Sequence, residues 1–115
     1  MLIGLSSEVS AARWVETYRT TQGISYIDVE TVKLEKGSGT LTYWNKVEFA
    51  DPAQYAITLY EINQTNQKMG RMMQMSLYEK GGKLITSTGV GTWKMVIHDS
   101  YWDLEVKCAL MVVKQ

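Results

Sequence analysis

Hydrophobic and polar residues alternate along most of this chain, which is the pattern of β-strands that bury one face. Within residues 40–49 the alternation places Tyr43 on one side of a strand and Trp44 and Lys46 on the other. Glycine-rich or polar turns separate the alternating segments. The alternating segments are residues 13–19, 24–34, 40–49, 54–63, 67–79, 84–89 and 92–97, and we expect them to form about six strands.

The connections between these segments are short and follow the order of the chain. Residues 35–39 contain two glycines, residues 80–83 contain two more, and Pro52, the only proline, lies between two strand segments. Strands that are joined by such short turns pair in antiparallel fashion with their neighbours in sequence. We therefore expect the strands to form an antiparallel meander.

The pattern changes to that of a helix after residue 98. Asp99 or Ser100 is a typical N-cap residue, and Asp103 reinforces the first turn. Beyond this point, hydrophobic residues recur with helical spacing in two adjoining stripes. The stripe that we expect to dock the helix on the sheet is Tyr101, Leu104, Cys108 and Val112, and beside it lie Trp102, Val106, Ala109 and Val113.

Glu105 falls in the middle of this apolar arc. A carboxylate there must lie at a rim, find a hydrogen-bonding partner, or mark a contact between the helix and something else. A helix with so wide an apolar arc needs a large apolar partner, and the sheet is the candidate that the sequence offers. The predicted fold class is therefore α+β: an antiparallel sheet of about six strands with one C-terminal helix packed across one face.

The overall composition limits the size and the partners of the protein. A chain of 115 residues suits one domain with its own core, which we assign to residues 13–115. Its twelve basic and twelve acidic residues balance, so there is no strong field to attract DNA or RNA. No apolar run approaches the roughly 20 residues that span a bilayer. We predict that the protein is not transmembrane and binds no nucleic acid.

Residues 1–12 differ from the rest of the chain. They begin with a short apolar run and end in Ala11–Ala12. Ser10 and Ala12 would suit a signal-peptidase site, but the charged region and full apolar core of a signal peptide are missing. Two interpretations stay open: a loosely docked N-terminal tail and the remnant of a signal peptide.

Residues with catalytic or metal-binding chemistry are few and scattered. His98 is the sole histidine, and about 12–15 Å of helix separates it from Cys108, too far for proton transfer. Together with Asp99 it fits helix capping better than a catalytic dyad. The sequence has no calcium loop, zinc cluster or phosphate-binding loop. We predict no enzyme activity, no metal site and no cofactor.

The segment "KMGRMMQM" concentrates four methionines, Met69, Met72, Met73 and Met75. Thioether sulfur suits Cu(I). In a regular strand, however, Met72 would face away from the other three, so the four would not converge. A core face beneath the helix, a Cu(I) site and contact with a partner all stay open.

The tyrosines and tryptophans are too numerous for all of them to be buried in a domain of this size. Exposed Tyr and Trp are typical of protein-binding surfaces. The surface that we predict for protein binding consists of Tyr43, Trp44 and Lys46, with Trp44 at its centre. The alternative is that Trp44 is half-buried and stabilises cross-strand pairs.

Several short motifs occur in an order that resembles the surface-adhesin protein E family of exported bacterial domains. The resemblance spans roughly residues 13 to 110. The motifs that carry it are "RW" at 13–14, "YIDVETVK" at 26–33, "YWNKVEF" at 43–49, "YEIN" at 60–63, Tyr78, Trp93 and the helix with Cys108.

The resemblance implies a six-stranded antiparallel sheet with a C-terminal helix, often tied to the sheet by a disulfide. Family members often have "EIDC" where this chain has "EINQ", so Gln64 stands at the position of the paired cysteine. Cys108 matches the helix cysteine, but the disulfide cannot form. Cys108 is then a small buried hydrophobic residue, with an intermolecular disulfide or a reactive thiol as alternatives.

The function that the resemblance implies is that of a non-enzymatic, exported binding domain of the bacterial cell envelope, in the periplasm or at the cell surface. Its partner would be a protein, such as a host matrix or serum protein, and an edge strand could also pair with a second copy to form a homodimer. Two alternatives stay open: a carrier of a small ligand or of Cu(I) that uses the methionine strand, and a structural subunit of an envelope assembly.

Overall fold

The computed structural model describes residues 12–64 and 67–113 of the chain. The predicted N-terminal tail or signal remnant lies, except for Ala12, outside the described residues. The part that is described combines one helix with one antiparallel sheet, which confirms the α+β fold class.

The described residues form eight strands followed by the helix. The strands are β1 (Trp14–Thr20), β2 (Gly23–Asp28), β3 (Lys33–Glu35), β4 (Thr40–Phe49), β5 (Gln54–Asn63), β6 (Met69–Glu79), β7 (Leu84–Thr88) and β8 (Lys94–Met95), and the helix is α1 (Tyr101–Val113).

The sheet follows chain order as β1-β2-β4-β5-β6-β7, which confirms the predicted meander. The two short strands lie off this path, because β3 pairs with β4 and β8 pairs with β6. The strand count is higher than six partly because the predicted strand 24–34 is interrupted. Asp28 accepts hydrogen bonds from the backbone N–H of Glu30 at 3.1 Å and the hydroxyl of Thr31 at 2.8 Å. This Asp-centred turn ends β2 before β3 begins.

The helix begins where the sequence predicts. The Ser100 hydroxyl accepts the backbone N–H of Asp103 at 3.1 Å, so Ser100 is the N-cap. The Asp103 carboxylate in turn accepts the backbone N–H of Asp99 at 2.9 Å. It also pairs with Lys68 at 2.6 Å and with Lys107 at 3.1 Å. These partners, Lys68 first, hold the pKa of the buried Asp103 carboxyl well below its ordinary value.

The face that the helix buries is only partly the predicted one. The predicted docking stripe was Tyr101, Leu104, Cys108 and Val112, but Tyr101 is 59% exposed and Leu104 is 43% exposed. Cys108 and Val112 are partly buried against the core. The residues that the helix buries fully are Asp103, Glu105, Val106 and Ala109. The helix is rotated toward the adjoining stripe because the Glu105 carboxylate reaches hydrogen-bond donors on the sheet.

Gly70 makes room for the first turn of the helix. A Cβ atom at Gly70 would lie 2.5 Å from the indole of Trp102 and 2.7 Å from Ile62. The missing side chain therefore lets Trp102 pack close to β6. The Trp102 ring also lies 5.4 Å from the ring of Tyr60 on β5. The buried core between the helix and the sheet consists of Ile27, Leu41, Tyr43, Ile62, Val96, Val106 and Ala109.

Candidate functional site

The two faces of the sheet have different surroundings. Tyr43 is 0% exposed and donates a hydrogen bond to Glu105 of the helix at 3.0 Å, so it points into the core. Because side chains alternate along a strand, Trp44 points to the opposite face. Lys46 shares that face with Trp44. The predicted binding surface is therefore corrected: Trp44 and Lys46 remain together, but Tyr43 does not belong to it.

In the part of the chain that the structure describes, the helix covers only the Tyr43 side of the sheet. We call the opposite side the uncovered face. Its aromatic and aliphatic side chains are only partly buried, although they are large and close to one another. Cross-strand pairing places on this face Trp14, Tyr26, Trp44, Lys46, Tyr55, Ile57, Leu59 and Tyr78.

Lys46 lies among three aromatic rings on the uncovered face. Its Nζ atom is 5.7 Å from the ring centre of Trp14, 5.8 Å from that of Tyr26 and 5.5 Å from that of Tyr55. It is also 3.3 Å from the carboxylate of Glu48. Each cation–π contact at a partly exposed site contributes about 0.5–1 kcal/mol. These neighbours hold a lysine side chain, which is 23% exposed, in a defined place.

The rings around Lys46 are themselves held in position. The Tyr26 hydroxyl donates a hydrogen bond to Glu48 at 2.8 Å, and this bond raises the pKa of Tyr26. Tyr55 stacks on Tyr78 with ring centres 5.0 Å apart and planes 17° apart. Ordered aromatic side chains lose little conformational entropy when a partner binds. The group is therefore suited to recognition.

A cavity of about 590 Å³ adjoins this group at the end of β4. It carries both charges and an aromatic wall, because its lining includes Lys46, Glu48, Gln54, Tyr55 and Lys80. Concave surfaces with a few polar groups among apolar ones are typical of binding sites. The cavity therefore extends the uncovered face rather than forming a separate centre.

A second charged and aromatic group lies further along the sheet. Arg71 forms an ion pair with Glu61, its cross-strand partner, at 2.8 Å, and its guanidinium lies 4.5 Å from the ring centre of Trp93. Sequence reasoning missed this group. The signal was weak, because Glu61 and Arg71 face one another only in the particular register of β5 and β6.

The most highly organised polar group lies on the opposite, helix-covered face. Glu105 is 3% exposed. Its Oε2 atom accepts hydrogen bonds from Ser25 at 2.6 Å and from the Asn45 amide at 2.8 Å, with the Thr17 hydroxyl at 3.1 Å. Its Oε1 atom accepts the hydroxyl of Tyr43 at 3.0 Å. The sequence left three alternatives for Glu105: a position at a rim, hydrogen-bonding partners, or a contact with something else. The structure shows the second.

Burial raises the pKa of the Glu105 carboxyl, and its hydrogen bonds, from Ser25 and Tyr43 foremost, act in the opposite direction. Burial and the neighbouring Glu105 also raise the pKa of Tyr43 well above its ordinary value. Every oxygen of this carboxylate is engaged by the protein itself. The group therefore joins the helix to three strands, and its partners were signalled only by polar residues at inward positions of otherwise apolar strands.

A second cavity, of about 490 Å³, lies beside the start of the helix. Tyr18 and Tyr101 stack at its wall with ring centres 4.8 Å apart, and Ser25 reaches it from the sheet. The Ser25 hydroxyl already donates its hydrogen bond to Glu105. The lining of this cavity thus combines the aromatic rings of Tyr18, Phe49 and Tyr101 with smaller polar and aliphatic residues.

Cys108 is partly buried on the helix and packs against the core. Burial, with a smaller effect of Glu105, raises the pKa of its thiol. Gln64, at the position where the resemblance places a second cysteine, instead donates its side-chain amide to the backbone carbonyl of Gly39 at 3.4 Å.

The methionines of β6 do not converge. The pairs Leu59↔Gln74 and Tyr60↔Met72 leave Met73 as an extra, bulged residue. The bulge changes the predicted alternation: Met72 and Met75 share the helix-covered side, whereas Met69 points to the uncovered face. The strand therefore offers no set of four sulfur ligands on one side.

The residues His98, Asp99 and Asp103 have ligand atoms within 4.8 Å of one another. Lys68 and Lys107 already neutralise the Asp103 carboxylate. The backbone N–H of Asp99 donates to Asp103 at the start of the helix, whereas His98 contacts the carboxylates of Asp99 and Asp103. The neighbouring ammonium groups of Lys68 and Lys107 do not favour a metal ion at Asp103.

Within residues 12–64 and 67–113, no helix combines the length and the apolar character that a membrane-crossing helix needs. Comparisons with protein-family models, curated proteins and solved structures found no match to this chain.

Proposed function

We propose that this protein is a non-enzymatic, exported binding domain of the bacterial cell envelope, adhesin-like in its use, and that it binds a protein partner through the uncovered face. The observation that carries the proposal is the ordered aromatic group around Lys46 on a side of the sheet that the described helix leaves open. Tyr, Trp and a few charged groups in fixed positions are what protein-binding surfaces use.

The arrangement of charges supports a protein partner. Lys46 and Glu48 lie 3.3 Å apart, and Arg71 and Glu61 lie 2.8 Å apart, so each positive group is already balanced by a negative one. A surface of balanced pairs between aromatic rings does not attract a polyanion strongly. It does offer hydrogen-bonding and stacking partners to the mixed surface of another protein.

The helix-covered side of the domain is built to hold the sheet rigid beneath the uncovered face. Glu105 and its donors tie the helix to β1, β2 and β4, and Trp102 packs over Gly70. Binding surfaces on rigid elements lose less free energy to ordering than surfaces on loops. The buried network thus keeps the sheet in shape while its other side meets the partner.

The first test compares alanine variants at two hydrophobic positions on opposite sides of the domain, the partly buried Trp44 and the exposed Leu104. Trp44→Ala changes the uncovered face, and Leu104→Ala changes the exposed side of the helix and serves as the control. Both are measured by biolayer interferometry against a panel of purified matrix and serum proteins. We expect at least one panel member to bind the wild type and to lose tenfold or more affinity with Trp44→Ala alone. Equal loss with both variants, or no binding by the wild type, would contradict the proposal.

The envelope assignment has its own test. The native protein is recovered from fractionated cells and its intact mass is measured. Recovery from the envelope or the medium supports export, and recovery from the cytoplasm alone contradicts it.

A further inference from the structure

Exposed hydrophobic side chains are concentrated along one edge of the sheet. Among the described residues, six of the large hydrophobic side chains that are exposed lie between residues 84 and 97, with exposures from 41% to 65%. They belong to β7, to β8, to the segment between them and, for Ile97, to the residues just after β8, and both strands pair with β6. The six are Leu84, Ile85, Val90, Trp93, Met95 and Ile97.

β7 is the last strand in the sheet order, and all five of its residues are exposed. Its sequence, Leu-Ile-Thr-Ser-Thr, contains three β-branched residues and no charge. An uncharged, exposed edge strand of this composition is a template for the addition of another strand. Ile85 is bulged, so Thr86–Thr88 is the regular part of the template.

The opposite edge of the sheet is less receptive. β1 carries Glu16 and Arg19, which form an ion pair at 2.8 Å on the strand itself. Charged side chains on an edge strand oppose the pairing of a further strand. Both edge strands contain a bulge, so the charge is the feature that distinguishes them.

The charges of the segments along this edge of β6 indicate the chemistry of the strand that would be added. From residue 80 to residue 97 the chain carries Lys80, Lys83 and Lys94 and no acidic residue. A second copy of this chain would bring three more lysines to the same edge. A strand with acidic residues at its ends would instead complement them.

We propose that β7 accepts an extended segment of another protein, with an uncharged, β-branched centre and acidic residues on both sides, as an added strand. This site lies on the edge of the sheet and goes beyond the function proposed for the uncovered face. Trp44→Ala, which tests that function, therefore leaves it unchanged.

The probe is a synthetic nonapeptide, EDVTITVDE, with a fluorescent label, and binding is followed by anisotropy. Two control peptides isolate the features of the proposal: KKVTITVKK reverses the end charges, and a version of the acidic peptide with N-methyl groups on alternate amides cannot form the ladder. We expect the acidic peptide to bind at least tenfold more tightly than either control. We also expect it to slow hydrogen exchange of the Thr86–Thr88 amides and not of the β1 amides.

Charge reversal on the protein provides the matching test. In a Lys83→Glu, Lys94→Glu variant we expect the preference to shift to the lysine peptide, whereas Lys33→Glu, on the distant and exposed β3, leaves it unchanged. Three outcomes would overturn the proposal: equal affinity for all three peptides, no binding at millimolar concentration, or a dimer in light scattering whose β7 amides are already protected.

Discussion

Ser25 on β2 donates its hydroxyl to the carboxylate of Glu105 on the helix at 2.6 Å, the shortest of the hydrogen bonds that Glu105 accepts. The two residues are 80 positions apart in the chain. The Asn45 amide lies 2.8 Å from both the Ser25 hydroxyl and Glu105, so three side chains form one compact unit. A buried polar group with all its partners in place is stabilising, whereas the same group with partners missing is costly.

Replacement of Glu105 tests this unit directly. Glu105→Ala removes the acceptor that the hydroxyls of Ser25 and Tyr43 and the amide of Asn45 share. We expect the free energy of unfolding to fall by about 2–4 kcal/mol in urea denaturation. Glu35→Ala, at an exposed position of β3, is the control and should change it by less than about 0.5 kcal/mol. A loss of similar size in both variants would show that the network contributes little.

The pH dependence of stability follows from the raised pKa of Glu105. Because burial lifts it above the ordinary 4.5, the folded state holds the proton more firmly than the unfolded state does. The stability contributed by protonation is therefore full below 4.5 and is lost as the pH rises through the folded-state pKa. We expect the wild type to gain stability relative to Glu105→Gln as the pH falls from 7 towards 4.5, measured by urea titration. A difference that is flat or of opposite sign would contradict the assignment.

The pH dependence that Asp103 contributes to stability has the opposite sign to that of Glu105. Lys68 and the backbone of Asp99 lower its pKa below the ordinary 3.8, so its contribution is present above 3.8 and is lost as the pH falls through the folded-state pKa. We expect Asp103→Asn to cost about 1–2 kcal/mol at neutral pH and progressively less in acid. Glu79→Gln, an exposed carboxylate at the end of β6, is the control. An Asp103→Asn penalty that persists undiminished well below pH 3 would be inconsistent with the lowered pKa.

Gly70 and Gly81 differ in the space around them, so they provide a test site and a matched control. A Cβ atom at Gly70 would meet Trp102 and Ile62, whereas nothing lies within 4 Å of one at Gly81. We expect Gly70→Ala to reduce stability by about 1–3 kcal/mol through overpacking. Gly81→Ala should have little effect in the same thermal and urea unfolding measurements. Equal stability of the two variants would mean that Trp102 moves aside without cost.

The thiol of Cys108 should react slowly. It is partly buried and its pKa is raised, and both features reduce the thiolate that reagents attack. We expect labelling with DTNB near pH 8 to be at least tenfold slower in the folded protein than in urea. A Ser38→Cys, Cys108→Ser variant, with its thiol in an exposed turn, provides the fast reference. Labelling of Cys108 at the rate of this reference would contradict the burial.

The sequence predicted the parts of this fold that depend on local patterns. The alternation in β4 and β5 and the Ser100–Asp103 cap are local signals, and each element lies where these signals place it. The rotation of the helix was mispredicted because hydrophobic spacing alone does not show that Glu105 would be satisfied from the sheet. Its donors come from strands far away in the chain, and only the three-dimensional register brings them together.

For the uncovered face, too, local patterns predict one part of the arrangement and the three-dimensional register determines the rest. Alternation correctly separates Trp44 and Lys46 from Tyr43, so the face itself was predictable. The three rings around Lys46 come from β1, β2 and β5, and their approach depends on pairing registers and on the twist of the sheet. The methionine faces were mispredicted because a bulge at Met73 shifts the alternation, and a bulge leaves no clear mark in a single sequence.

Attachment of the helix through Glu105 has a consequence for where this fold can be used. A disulfide between helix and sheet would make the attachment depend on the redox state of the surroundings. Here the link consists of the hydrogen bonds to Glu105 and the packing of Trp102, Val106 and Ala109, which reductants do not break. The domain should therefore keep its helix in place equally well in dithiothreitol and in air, and the same scaffold can function in compartments of either redox character.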